Sequence, residues 1–228
     1  MKTPHLTLAA TTLAGLLAAT PAGAQLRITE VMAQVSTGTS STLNGDWWEL
    51  TNFGATPVDL LGYQWADSED ALPSSDSNFF PSFILNPGQS LVIMDEAAYS
   101  KADWRAMWGV PSSVAILAED EMGDDATPDG EKFSGLGSTG DTVNFYSPAG
   151  ALLDSYTFGA VTRGVTFEIK GDGTDLGLSV VGESGAMLAA NGDIGSPGLA
   201  VVPEPTALAL VGLAGGAASR RLRQQKLS

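Results

Sequence analysis

The chain has 228 residues, of which 26 are acidic and 11 are basic, and its formal net charge is −15 at pH 7. A surface this acidic repels nucleic acid phosphates and anionic lipids and attracts cations, so nucleic acid is excluded as a partner. The chain has no cysteine and only one histidine, His5, which excludes disulfide bonds and Cys-His catalysis.

The N-terminus has the pattern of a secretory signal peptide. A positively charged start and an uncharged apolar run are followed by Ala22-Gly23-Ala24, an A-x-A cleavage site. We therefore predict export and cleavage by signal peptidase between Ala24 and Gln25. Cleavage removes His5, which also excludes Ser-His-Asp catalysis, His-ligated zinc and imidazole bases from the mature protein.

Downstream, short segments of alternating apolar and polar residues predict nine or ten β-strands separated by turns. In the second strand, alternation places Trp48 and Leu50 on one face and Trp47 and Glu49 on the other. This spacing predicts an all-β fold, a β-sandwich with Greek-key connections, and a closed barrel is the alternative. The predicted strands cover 26–32, 46–53, 57–65, 80–85, 89–94, 113–118, 141–146, 151–158, 164–170 and 178–181.

One short helix is predicted over 101–108. Ser100 begins an S-x-x-D capping box, and Gly109 marks the end of the helix. Trp104 and Trp108 stand four residues apart, on one side of the helix. We predict that they dock the helix on the sandwich and do not bind a ligand.

The order of several short motifs resembles that of a bacterial lamin-tail domain, roughly over 25–159. The resemblance implies an immunoglobulin-like β-sandwich that is a non-catalytic interaction or scaffold module, and it carries no catalytic residues. The segment 119–131 departs from the family pattern as a long insert. The motifs are LRITEV at 26–31, DWWELTN at 46–52, VDLLGY at 58–63, LNPG at 85–88, GDTVNFY at 140–146, PAGALLD at 148–154 and IGSPG at 194–198.

The insert 119–131 holds seven carboxylates in thirteen residues. Carboxylates this close repel one another, and calcium, which takes about six to eight oxygen ligands, would relieve that repulsion. The spacing is not that of an EF-hand, because position twelve counted from Asp125 is Leu136 and not glutamate. A solvated acidic loop is the alternative. The candidate calcium ligands are Asp120, Asp124, Asp125, Asp129 and Glu131.

Trp47, Tyr63 and Trp65 fall on strands that are predicted to be adjacent. An exposed row of aromatic rings would stack on sugar rings, so these three residues are candidate glycan contacts. The alternative is that they fill the core of the sandwich, as Trp48 is expected to do.

Two other patterns are explained by ordinary structure. The run GLGSTG at 135–140 matches G-x-G-x-x-G, but it precedes a predicted strand, so it indicates a turn and not a nucleotide site. Glu49 with Asp67 or Glu69 would supply paired carboxylates for a hydrolase. Such pairs arise by chance in a chain with 26 acidic residues, and we predict no enzyme and no required cofactor.

The C-terminus combines three features. Pro203-Glu204-Pro205 precedes an uncharged apolar run over 206–218, and a basic tip of Arg220, Arg221 and Arg223 follows. About 14 helical residues span roughly 21 Å, less than the ~30 Å of a bilayer core, which suits transient anchoring in the inner membrane. This tail resembles the PEP-CTERM sorting signal, which implies processing by an exosortase-type protease; a fortuitous apolar end or a simple tail anchor is the alternative.

These patterns predict a signal peptide (1–24), a sandwich domain (25–182), a flexible linker (183–202) and a sorting tail (203–223). The mature body keeps 25 acidic and 6 basic residues of the 26 and 11 in the whole chain, a net charge near −19. We predict a structural or interaction protein of the cell surface or extracellular matrix, with exopolysaccharide or surface proteins as partners. A calcium-dependent adhesion or glycan-binding protein is the alternative.

Overall fold

The computed structural model describes residues 25–36, 45–67, 78–95, 99–118, 121–123 and 135–202. Within these ranges the chain forms fourteen strands and one helix. In chain order they are β1 (Leu26–Met32), β2 (Trp47–Asn52), β3 (Val58–Asp59), β4 (Gln64–Ala66), β5 (Asn78–Phe79), β6 (Ile84–Leu85), β7 (Ser90–Met94), α1 (Lys101–Trp108), β8 (Ala115–Ala118), β9 (Asp141–Tyr146), β10 (Leu152–Phe158), β11 (Phe167–Ile169), β12 (Asp175–Leu178), β13 (Met187–Leu188) and β14 (Ile194–Gly195).

The strands form two main sheets. One has six strands in the order β12-β11-β1-β2-β7-β8, and the other has four in the order β10-β9-β4-β5. Neighbours are antiparallel except β7 and β8, which run parallel. Two small ladders, β3 with β6 and β13 with β14, complete the described fold. The architecture is an immunoglobulin-like β-sandwich, as predicted, and not a closed barrel.

Large apolar side chains fill the space between the two sheets. Trp48 of β2 is fully buried, and its ring lies 5.4 Å from Trp65, 6.2 Å from Phe80 and 6.4 Å from Phe145, measured between centroids. Leu50 belongs to the same core cluster, which confirms the predicted core-facing side of β2. Burying one aliphatic or phenyl side chain contributes about 1.5–3 kcal/mol, so this core stabilises the domain in the absence of any disulfide.

The outer face of the six-stranded sheet, turned away from the second sheet, is covered at one end by α1. Trp47 lies 5.6 Å from both Trp104 and Trp108, and each pair is close to edge-to-face. These three residues form the outer aromatic cluster. The helix begins after the N-cap Ser100 and ends at Gly109, whose φ of 66° is left-handed. The predicted helix and its docking role are confirmed.

The rest of the outer face is crossed by residues 186–202, here called the C-terminal segment. Its Ala190 N–H donates to Met107 O at the end of α1, 2.8 Å away, and its Val201 O accepts from Gly171 N–H, 3.0 Å away. The prediction of a flexible linker over 183–202 is therefore wrong, since this stretch contains β13 and β14 and buried side chains. The buried ones include Ala186, Ala189, Asp193 and Ser196.

Both ends of the described body lie at the same end of the sandwich. Gln25 O accepts from Phe53 N–H at 2.9 Å, and Val201 O accepts from Gly171 N–H. A methyl group at Gly171 would lie 2.6 Å from the Phe53 ring, so these two connections are adjacent. We call this the terminal end. The opposite, distal end is defined by the aligned positions Met32, Trp47, Met94 and Ala118.

Within the described ranges, no helix has the length and apolar character needed to cross a bilayer. The predicted apolar run over 206–218 lies outside those ranges, as does the predicted signal peptide over 1–24.

Candidate functional site

Most of the sites predicted from sequence motifs lie outside the described residues. These are the candidate calcium ligands Asp120, Asp124, Asp125, Asp129 and Glu131, the cleavage residue Ala24, and the sorting residues Pro203, Glu204, Pro205, Arg220, Arg221 and Arg223. Gln25 is described and directly precedes β1. Among the residues that the structure describes, no group of three or more acidic side chains has the geometry of a metal site.

The predicted aromatic row does not form a platform for sugars. Trp47 and Trp65 are both fully buried, and they belong to different clusters on opposite faces of the six-stranded sheet. Tyr63 is half-buried, and its ring stacks on Phe145 with centroids 5.5 Å apart. The expected row is therefore corrected: Trp65 comes from the second sheet and points into the core, whereas Trp47 points away from it.

The carboxylate pair proposed for hydrolysis is also not formed. Glu49 points to the outer face of the six-stranded sheet, together with Trp47. Asp67 follows β4, which belongs to the other sheet, so the core separates the two residues. Glu69, the other proposed partner, lies outside the described residues.

The structure instead assembles three glutamates that the sequence analysis did not connect. Glu30 of β1 is directly paired with Glu49 of β2 on one side and with Glu168 of β11 on the other. The three side chains are 1%, 1% and 5% exposed. Like charges directly opposite each other across strands are destabilising, and these three carboxyls, the glutamate row, are buried as well.

The C-terminal segment covers the glutamate row on the outer face of the six-stranded sheet. Glu30 Oε1 accepts the Ser196 N–H at 2.6 Å and the Thr166 hydroxyl at 2.7 Å. Glu49 Oε2 accepts the Gly198 N–H from the same segment. Residues of the segment thus provide the main-chain donors that these two carboxyl groups need in a dry environment.

Glu49 has further partners on its own sheet. Its Oε1 accepts from the Thr29 hydroxyl at 2.7 Å and from the Thr51 hydroxyl at 3.4 Å, and the Thr51 hydroxyl also lies 2.7 Å from that of Ser90. By contrast, two buried oxygens of the row, Glu30 Oε2 and Glu168 Oε1, have no hydrogen-bond partner among the described residues. A carboxyl oxygen in this position is more stable when it carries a proton than when it is charged.

Burial raises the pKa of each glutamate in the row. For Glu30 the charges of Glu49 and Glu168 raise the pKa further, while hydrogen bonds from Thr166 and Ser196 oppose the rise. For Glu49 the hydrogen bonds from Thr29 and other donors oppose the effect of burial. The pKa of Glu168 is raised by burial and by nearby carboxylates. The row therefore titrates as a coupled group that retains protons at a pH where isolated glutamates are ionised.

A second buried carboxyl lies at the distal end, beside the flanks of the acidic insert. Asp46 is 2% exposed, and it accepts the Leu136 N–H at 2.8 Å. Burial, and to a smaller extent the charges of Asp95 and Asp141, raise the pKa of Asp46 from 3.8 to about 8. Because β8 ends at Ala118 at this same end, the acidic insert is attached to the distal end of the sandwich.

An open surface depression of about 220 Å³ lies at the terminal end. It is lined by Tyr63 together with Gln25, Leu26, Arg27 and Leu153. Arg27 Nη1 lies 3.0 Å from Asp154 Oδ1, and Asp154 Oδ2 accepts the Ile28 N–H at 2.8 Å. Tyr63 is thus the one predicted glycan contact that remains accessible.

The glutamate row was missed because each glutamate is unremarkable in its own segment. One signal was present, since Glu30 and Glu168 each stand inside a short run of strand-forming residues, Ile28-Thr-Glu-Val31 and Phe167-Glu-Ile169. A charged residue between β-branched or aromatic residues on a central strand indicates burial with a partner. Alternation alone did not show that the three strands are neighbours.

Comparison with known proteins gives one family. The family model of the lamin tail domain matches residues 19–160, which is more than half of the chain. No curated protein matches the sequence.

Proposed function

The chain belongs to the lamin tail domain family, and from this membership we propose that it is an exported, non-catalytic interaction module of the cell surface or extracellular matrix. The family has an immunoglobulin-like fold that is typically not enzymatic. Exopolysaccharide or another surface protein is the proposed partner, and an exosortase-type protease is the proposed processing enzyme.

The observation that carries this proposal is the position of the two chain ends. Gln25, the first residue after the proposed signal cleavage, and Val201, just before the proposed sorting motif, are both held at the terminal end. A protein attached through residues 203–223 would therefore sit on its terminal end. The distal end, with α1 and the flanks of the acidic insert, would then face outward toward partners.

The processing step is tested by the intact mass of the protein recovered from its native host. The proposal expects a chain that begins at Gln25 and ends near Pro203. Replacing Arg220, Arg221 and Arg223 by alanine is expected to block retention and processing, because arginine crosses a bilayer poorly. The matched control replaces the same three residues by lysine, which keeps the charge and should preserve processing. A native chain that still ends at Ser228 would contradict the proposal.

A calcium-dependent adhesion protein is the second candidate, and the distal position of the acidic insert favours it. Its test is the melting temperature of the purified chain with calcium, with magnesium and with a chelator. Binding to the folded state alone adds about 2.7 kcal/mol at a hundredfold excess of ligand over Kd. A rise with calcium alone, abolished by Asp125→Asn together with Asp129→Asn, would support this candidate. Equal melting temperatures in all three conditions would remove it.

A further inference from the structure

The glutamate row is unusual because its three buried carboxyls face a segment that crosses the six-stranded sheet and is not one of its strands. The row lies at the middle of β1, β2 and β11, where each glutamate is opposite the next. The C-terminal segment contacts it through main-chain N–H groups of Ser196 and Gly198. The protonation state of the three carboxyls therefore affects how firmly the segment is docked.

The C-terminal segment lies so close to the glutamate row that side chains have no room to rearrange between them. A methyl group at Gly195 would lie 2.6 Å from Glu30 Oε1 and 2.9 Å from the Thr166 methyl carbon. If Glu30 gains a charge, there is no space between its carboxyl and Gly195 for water to solvate it. Hydration of that charge then requires the segment to move away from the sheet.

Among the described residues, charged groups from the surrounding elements do not neutralise the row. Glu183, which precedes the segment, adds a further negative charge acting on Glu168. The segment's own carboxylate, Asp193, accepts from the Ser36 N–H at 2.7 Å. Arg105 of α1 donates to the main-chain oxygen of Val114. Hydroxyl groups of described residues also face the row, and these are Thr29, Thr51, Ser90, Thr166, Ser184 and Ser196.

We propose that the glutamate row is a proton-operated latch: it holds protons while the C-terminal segment is docked, and the segment undocks as the row loses them. Undocking uncovers the outer face of the six-stranded sheet and releases the stretch that leads to residue 203. The proposal concerns the folded body only and stands whether or not the tail is processed.

The direction of the pH dependence follows from the raised pKa values of the row. The docked state binds more protons than the undocked state, in which the glutamates return toward their ordinary pKa of 4.5. Docking is therefore strongest below that ordinary value and weakens as pH rises. Each proton released on undocking changes the docking equilibrium by up to about tenfold per pH unit.

The test is amide hydrogen exchange of the purified chain, followed by mass spectrometry at several values between about pH 5 and pH 8 and corrected for intrinsic exchange rates. The protection of the peptide that contains Ser196 and Gly198 is compared with that of β9 in the same sample. The latch predicts a fall of at least about tenfold in protection of the segment over this range. Asp46→Asn, which removes the titration of Asp46 at the distal end, is included in every sample so that β9 keeps its protection. Equal protection of the segment at both ends of the range would overturn the proposal.

Variants separate titration from packing. Glu168→Gln removes one charge, and it is expected to make the fall at least about tenfold smaller. Glu121→Gln, an exposed residue paired with Lys101, is the matched control and should behave as the native chain does. Gly195→Ala displaces the segment without changing a charge, so it should lower protection at every pH. If the protection of the segment in Glu168→Gln has the same pH dependence as in the native chain, the latch is refuted. If that variant does not fold, the protection of the segment in the native chain across the pH range is the test.

Discussion

Replacing Asp46 by asparagine should change the stability of the protein in opposite directions at low and high pH. Asp46 is buried at the distal end, and its pKa rises from 3.8 to about 8 on folding. Because the folded-state pKa is the higher one, the associated stability is fully present below pH 3.8 and is lost as pH rises toward about 8. At about 1.36 kcal/mol per pKa unit, the native chain loses roughly 5 kcal/mol over this range.

The Asp46→Asn variant does not titrate, so it avoids this loss. Its amide oxygen can still accept the Leu136 N–H, but its NH2 group replaces an oxygen atom in a buried position. A buried donor that lacks an acceptor costs about 1–3 kcal/mol. The variant should therefore be less stable than the native chain by about 1–3 kcal/mol near pH 4 and more stable by about 2–4 kcal/mol near pH 8.

Urea unfolding, followed by tryptophan fluorescence at the two pH values, measures both differences. Asp172→Asn is the control, because Asp172 is exposed and a hydrogen bond from Thr174 lowers its pKa; this variant should show no gain at high pH. If Asp46→Asn differs from the native chain by the same amount at both pH values, Asp46 does not carry a raised pKa and the reasoning fails.

Two further predictions concern packing. Trp104→Ala removes one of the three rings of the outer aromatic cluster and should cost about 3–5 kcal/mol of unfolding free energy, measured by urea denaturation. Met107→Ala, at a half-buried position on the same helix, should cost clearly less, and equal costs would mean that the cluster does not dock α1. Gly171→Ala places a methyl group 2.6 Å from the Phe53 ring and should lower the unfolding free energy by about 1–3 kcal/mol. Gly159→Ala is the neutral control, because its methyl group would have no atom within 4 Å. A Gly171→Ala chain as stable as the native one would mean that the two ends of the body are not joined there.

The parts of the fold that sequence predicted are those with a local cause. Alternation in β2 separated Trp48 from Trp47 correctly because one face of the strand meets the second sheet and the other meets α1. The helix was predicted with the bounds that the structure has, because the residues that cap it, Ser100 and the left-handed Gly109, directly flank it in the sequence.

The parts that sequence did not predict depend on distant partners. The predicted strand 57–65 is divided into β3 and β4, with Gly62 at a φ of 77° between them, and its halves pair in different sheets. Strands β13 and β14 have only two residues each, so periodicity cannot reveal them. The glutamate row joins residues 30 and 168, and only the pairing of β1 with β11 brings them together.

The extent of the folded unit follows from these same distant contacts. The family match ends at residue 160, yet β11, which comes later in the chain, pairs with β1 near the middle of the six-stranded sheet. Without residues 161–202, β1 would lose this neighbour, and Glu30 and Glu49 would lose the donors supplied by Ser196 and Gly198. The C-terminal segment is therefore part of the domain and not a tether to it. Because the segment runs from α1 to Gly171, it also determines that the chain leaves the sandwich at the terminal end, beside Gln25. A force applied to residues 203–228 would reach the domain through the C-terminal segment, and this segment lies over the glutamate row.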